Sequence, residues 1–152
     1  MIKIVLVFIC FFCSTATISA QVKTPNAVYV EVIGNGGFYS VNYERLFCNY
    51  FGFRVGASYL YLGDVGQYAS FPILANFFMG GKHHKFELGV GCTVMNDAPV
   101  GEFSNWDTKY FRTITLGYRY QSKENFFRIG FTPLFTGHEI IPLGGISFGR
   151  AF

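Results

Sequence analysis

Apolar and polar residues trade places one for one along most of this chain. Tyr39, Val41 and Tyr43 alternate with Ser40, Asn42 and Glu44. Phe53, Val55, Ala57, Tyr59 and Tyr61 alternate with Arg54, Gly56 and Ser58. Phe86, Leu88, Val90 and Cys92 oppose Glu87, Gly89, Gly91 and Thr93. Ile114, Leu116, Tyr118 and Tyr120 oppose Thr113, Thr115, Gly117 and Arg119, and Phe127, Ile129 and Phe131 oppose Arg128, Gly130 and Thr132. Side chains one apart on a strand point to opposite faces. A period of two therefore specifies strands with one bulky, apolar face and one small or charged face.

Segments of this kind are expected at 27–33, 38–47, 52–62, 69–79, 85–95, 109–121, 126–134 and 143–152. Their mean length is about ten residues, near what a tilted strand needs to cross a bilayer and above the usual five or six of globular strands. A soluble barrel packs its bulky apolar groups inside. Here the small and charged face suits a narrow interior, and the bulky face suits lipid. The fourth segment fits less well. Phe71, Ile73 and Phe77 belong outside, but Leu74 and Phe78 then point inward, and Pro72 removes a ladder donor. The expected fold class is all-β: an eight-stranded antiparallel up-and-down transmembrane β-barrel. With both termini on the periplasmic side, the connections at 48–51, 80–84 and 122–125 are periplasmic and short. The longer ones, at 63–68, 96–108 and 136–142, fall outside, as in outer-membrane barrels. Gly34-Asn35-Gly36-Gly37 is the exception, a tight turn on the external side.

The N-terminus reads as a cleaved signal peptide, residues 1–20, ahead of a single barrel domain, residues 21–152. Lys3 precedes an unbroken apolar run from Ile4 to Phe12, and a small, polar stretch ends at Ala20. The run is too short to span a membrane as a helix. Neither Cys10 nor Cys13 follows the small residue that lipidation requires. Charged residues are only 14% of the chain, aromatics are 20%, and mean hydropathy is +0.30, an unusual surplus of apolar surface for a soluble domain this small. Eighteen glycines favour β over helical structure. Cys48 and Cys92 are expected unpaired, as small apolar residues. A formal net charge of +3 is too small to suggest nucleic acid.

The blocks Asn26-Ala27-Val28-Tyr29-Val30-Glu31, Gly34-Asn35-Gly36-Gly37 and Tyr39-Ser40-Val41-Asn42-Tyr43-Glu44-Arg45 resemble the start of small outer-membrane barrel proteins of Bacteroidota, eight-stranded barrels of the OmpA and OmpX kind. That resemblance implies an outer-membrane location and a barrel fold, and carries over no catalytic residue. The last segment, with Ile146, Phe148 and a terminal Phe152, resembles the signal by which the outer-membrane assembly machinery recognises its clients; Arg150 stands where that signal commonly has an aromatic. The expected partners are thus outer-membrane lipid and that machinery, with the chain a monomer.

Parity places Glu31, Glu44, Arg54, Glu87, Arg119 and Arg128 inside. Three acids and three bases are expected to pair as an interior charge network, because an eight-stranded interior is just wide enough for side chains. The basic residues Lys23, Arg45, Lys82, Lys85, Lys123 and Arg150 gather at the periplasmic rim, near inner-leaflet phosphates. Asp64, Asp97, Glu102, Asp107 and Glu139 fall in external loops. Asp97, Glu102, Phe103, Trp106 and Asp107 mark the candidate external binding loop. Adjacent His83 and His84 diverge on a strand, and the loop acids lack calcium-loop spacing, so no metal or cofactor is expected. His138-Glu139 has no serine at a supporting spacing, and no enzyme activity is expected. Two other readings stay open: a narrow small-solute pore, and a secreted soluble barrel holding an apolar ligand.

Overall fold

The computed structural model describes residues 26–62, 66–98, 107–122, 124–137 and 139–152. The expected signal peptide lies outside them, as do Lys23, Asp64, Glu102, Phe103, Trp106, Lys123 and His138.

The strands are β1 (Asn26–Gly34), β2 (Gly37–Cys48), β3 (Phe51–Tyr61), β4 (Gln67–Gly80), β5 (His84–Ala98), β6 (Asp107–Ser122), β7 (Asn125–Phe131), β8 (Leu134–Phe135), β9 (Ile140–Ile141) and β10 (Gly144–Ala151). Eight of them form the wall. Each pairs antiparallel with its sequence neighbour from β1 to β7, and β10 bridges β7 and β1 to close the cylinder. Closure leaves no free edge in the wall, which removes the exposed row of backbone donors and acceptors that would otherwise template aggregation. Asn26 and Phe152 meet at one end, their amides and carbonyls exchanging bonds of 3.1 and 2.8 Å. That terminal end carries the β2–β3, β4–β5 and β6–β7 turns; the opposite, loop end carries the rest.

The wall has the polarity that the alternation implies. Tyr43, Val55, Leu116 and Ile129 are exposed on the outside, while Glu44, Arg54 and Arg128 are at most 1% exposed within. Inward residues come in large and small partners. Tyr29 stands opposite Gly149, Asn42 opposite Gly56, Asn76 opposite Gly89 and Leu74 opposite Gly91. A Cβ on Gly149 would overlap that of Tyr29, and one on Gly91 would strike the Ile73 carbonyl. The glycines therefore let a narrow cylinder hold full-sized side chains from the neighbouring strand.

Three segments differ from the expected ones. The seventh wall strand stops at Phe131, because Pro133 has no amide to continue the ladder. Beyond that break the chain stays beside β6 in the same register, with β8 pairing Leu134 with Thr113, and β9 folds back on β8 within the connection expected at 136–142. The fifth and sixth strands extend further than expected, pairing as far as Asp97 and Asp107, which shortens the longest loop. Pro72 does sit within a wall strand. There the β3–β4 register passes from Val55 and Ile73 to Ser58 and Ser70 without pairs between, the local cost of the missing amide.

Candidate functional site

The lumen holds three layers. The middle one is a single chain of ion pairs, alternating in sign, that runs Arg54, Glu31, Arg128, Glu87, Arg119, Glu44. Arg54 Nη2 pairs with Glu31 Oε2. The other Glu31 oxygen lies 3.0 Å from Arg128 Nη1, and Arg128 Nε lies 2.9 Å from Glu87 Oε2. That Glu87 oxygen also accepts from Arg119 Nη2 at 3.5 Å. Arg119 closes a bidentate pair on Glu44 at 2.6 and 2.9 Å. Neutral groups finish the two ends, where Arg54 Nε donates to Asn42 at 3.0 Å and Asn76 donates to Glu44 at 3.1 Å, and within the chain Arg128 donates to Ser147 at 3.3 Å. Every wall strand contributes at least one of these residues. The chain is formally neutral, as burial demands, since an unpaired interior charge would cost several kcal/mol or about that.

Below it, toward the terminal end, aromatic rings fill the bore. The Arg119 guanidinium lies between Phe78 and Phe126, 4.7 and 4.5 Å from their centroids. Tyr29 meets Phe126 edge-on at 5.2 Å, and Arg54 lies over the Tyr29 ring at 5.3 Å. Lys85 reaches in from the rim to 5.9 Å above Phe78. Each such contact contributes about 0.5–2 kcal/mol, more where water is excluded.

Above the ion chain, at the loop end, the β1–β2 turn folds into the bore. Asn35 is fully buried there. Its Nδ2 donates to Thr115 at 3.1 Å, and its Oδ1 accepts from Thr113 at 2.7 Å. The Thr93 hydroxyl donates to the Asn35 carbonyl at 2.9 Å. Ser58 and Ser70 donate to the Gly36 carbonyl at 3.1 and 2.8 Å. Parity gives no side to a turn residue, so Asn35 left no signal in the alternation. Tyr29 and Phe126 did leave one: they share parity with Glu31 and Arg128.

Outside the bore, Asp97 and Asp107 face each other at the tips of β5 and β6. Lys109 sits between them, 3.1 Å from Asp97 and 3.5 Å from Asp107. The Asp97 hydrogen bond and charge push the Lys109 ammonium above its usual range. The pairs are solvated and contribute about 0–1 kcal/mol each. The remaining candidates of that loop, Glu102, Phe103 and Trp106, lie outside the described residues. At the other rim, Arg45 and Lys82 are exposed, and Arg150 is held by Glu124. His83 and His84 turn to different partners, the Gln121 carbonyl at 2.9 Å and the Tyr118 hydroxyl. No group of metal-ligating side chains forms among the described residues. Cys48, at the end of β2, and Cys92, on the outer face of β5, are both free and exposed.

This geometry defines a closed eight-stranded antiparallel barrel. It is similar to the N-terminal β-barrel domain of Pseudomonas aeruginosa OprF, with a TM-score of 0.67 at 15% identity, covering 86% of this chain and all of that one. It also matches Ail, the attachment invasion locus protein of Yersinia pestis, with a TM-score of 0.48 at 12% identity, over 83% of this chain and 93% of Ail. No protein-family model matches the sequence, and no curated protein does. The OprF likeness is one of fold.

Proposed function

We propose that this chain is a small, non-enzymatic outer-membrane β-barrel protein with a structural or surface-binding role. The observation that carries the reading is the inverted polarity of the wall. Tyr43, Val55, Leu88, Leu116, Ile129 and Phe148 form part of an apolar outer surface around a charged interior. Soluble monomers rarely expose contiguous apolar patches beyond a few hundred Å², roughly. A bilayer covers such a surface, and a closed barrel satisfies every backbone group inside it. Export follows from the segment at 1–20. Insertion uses the last strand, whose Ile146, Phe148 and Phe152 face outward for the assembly machinery. Any recognition surface lies on the external loops, chiefly 96–108, with Asp97 and Asp107 at its base. The basic rim of Arg45, Lys82 and Arg150 meets inner-leaflet phosphates, each contact contributing about 1 kcal/mol near an anionic surface.

Membrane fractionation followed by electrophoresis with and without boiling tests this reading. The protein should sediment with outer membranes and migrate differently once boiled. Recovery from the aqueous fraction with no mobility change would favour the soluble barrel instead. A second reading, a narrow solute pore, draws on the polar lining of the bore. Planar bilayers separate the two: the closed barrel gives no sustained conductance, whereas the pore conducts with a selectivity that shifts when Arg54, Arg119 or Arg128 is neutralised.

A further inference from the structure

We propose that the turn at 33–37 is a hinged stopper, which closes the loop end of the bore and can leave it without breaking either the wall or the ion chain. It goes beyond the outer-membrane reading and rests on the fold alone. The turn is the shortest connection at the loop end, yet its tip is buried rather than solvated. The wall does not depend on it. Val32 and Tyr39, one step below, are already paired in the β1–β2 ladder, and Val32 is paired with Ile146 of β10.

Its seat is a collar of five hydroxyls, from Ser58, Ser70, Thr93, Thr113 and Thr115, on four strands that do not adjoin β1. All of these bonds join neutral groups. On withdrawal, water replaces each of them, so the net cost is small. Opening the ion chain would strand charges, and no comparable exchange relieves that. The turn's backbone also favours release. Ile33 is β-branched and held at φ 51°, the left-handed region such residues avoid. That conformation persists only while surrounding contacts hold it. Gly34 at φ 141° and Gly37 at φ 86° flank the tip, and glycine accepts other dihedrals readily, so they serve as pivots. Beneath the tip the Glu31 carboxylate packs against Gly34, and Ser40 packs against Gly36. Withdrawal would uncover these two residues first.

Ser40 reports on that step. With Cys48→Ser and Cys92→Ser as background, Ser40→Cys places one thiol directly under the turn. A charged, water-soluble methanethiosulfonate should label it slowly in the folded protein. Asn35→Ala removes the two side-chain bonds from the turn side and leaves those to the backbone carbonyls, and Thr113→Val removes one from the collar side. Each should raise the labelling rate about tenfold or more, the factor expected for one or two lost hydrogen bonds. Equal rates in the parent and in both variants would overturn the stopper. So would parent labelling as fast as that of Cys48 in the natural chain. The heat-dependent mobility of the same samples is scored separately. Its absence counts against the membrane reading, while the labelling ratio still judges the turn.

Discussion

Arg119 and Arg128 stand directly opposite each other across the β6–β7 ladder. Like charges in that position repel. Glu87, arriving from β5, resolves the conflict by pairing one carboxylate oxygen with both guanidinium groups, at 3.5 and 2.9 Å. The two arginines then turn apart, Arg119 toward Glu44 and Arg128 toward Glu31. Glu87 is thus the link that makes two short ion clusters into one chain.

Glu87→Gln should therefore be among the most damaging interior substitutions. It keeps the volume but leaves two buried cations facing each other. Removing one partner of a buried pair costs about 3–5 kcal/mol. Urea unfolding in detergent or lipid, followed by electrophoretic mobility, measures it. Adding Arg128→Met to the same chain should recover part of the loss, because it removes one of the stranded charges. A double variant as unstable as the sum of the two singles would show that Glu87 does not couple to Arg128.

The outer face makes a prediction graded by depth. Leu116 pairs with Leu88 near the middle of the wall, whereas Tyr110 pairs with Val94 toward the loop end. In a bilayer, Leu116→Arg should cost about 2–4 kcal/mol and Tyr110→Arg about 0–1 kcal/mol. Folding titrations in lipid vesicles give both values. In a soluble barrel, arginine on either exposed position would cost almost nothing, so equal, small effects would remove the bilayer from the account.

The sequence made the wall legible because period two is a property of single residues. Arg54, Glu87 and Arg128 announce their side by their neighbours, and each is inside. Who pairs with whom was not legible. That Arg128 meets both Glu31 and Glu87 depends on strand stagger and cylinder radius, and neither is written in local order. Asn35 was hidden for a different reason. A tight glycine turn reads as a solvent-facing hairpin, and only a collar assembled from Ser58, Ser70, Thr93, Thr113 and Thr115 turns it inward. The two-residue strand β9 was likewise too short to show an alternation, whereas Leu134 of β8 lay within the segment expected at 126–134.

The glycines of the inner face predict a contrast in tolerance. Gly149→Val would drive a branched side chain into Tyr29 and the Val28 carbonyl. Overpacking of this kind costs about 1–3 kcal/mol, with more where backbone must move. Gly137→Ala, in the connection between β8 and β9, has open space around its added Cβ and should leave stability within about 0.5 kcal/mol of the natural chain. Unfolding midpoints of the two variants, measured side by side, test whether small residues inside the barrel are there for room. If Gly149→Val is as stable as Gly137→Ala, Tyr29 does not occupy the bore as described.

Phe78 and Phe126 predict how the terminal end is sealed. Phe78→Ala should cost about 3–5 kcal/mol, because it leaves a cavity that the rigid wall cannot collapse. It also uncovers one face of the Arg119 guanidinium. Phe78→Leu fills most of the space but offers no ring, so its smaller loss isolates the contribution of the cation–π contact, about 0.5–2 kcal/mol. Chemical denaturation gives the stabilities, and planar-bilayer recording of the same proteins gives the seal. Phe78→Ala should remain non-conducting, because the ion chain and the Asn35 turn still block the bore above it. Sustained current from Phe78→Ala alone would mean that the aromatic layer, and not the two layers over it, closes the barrel.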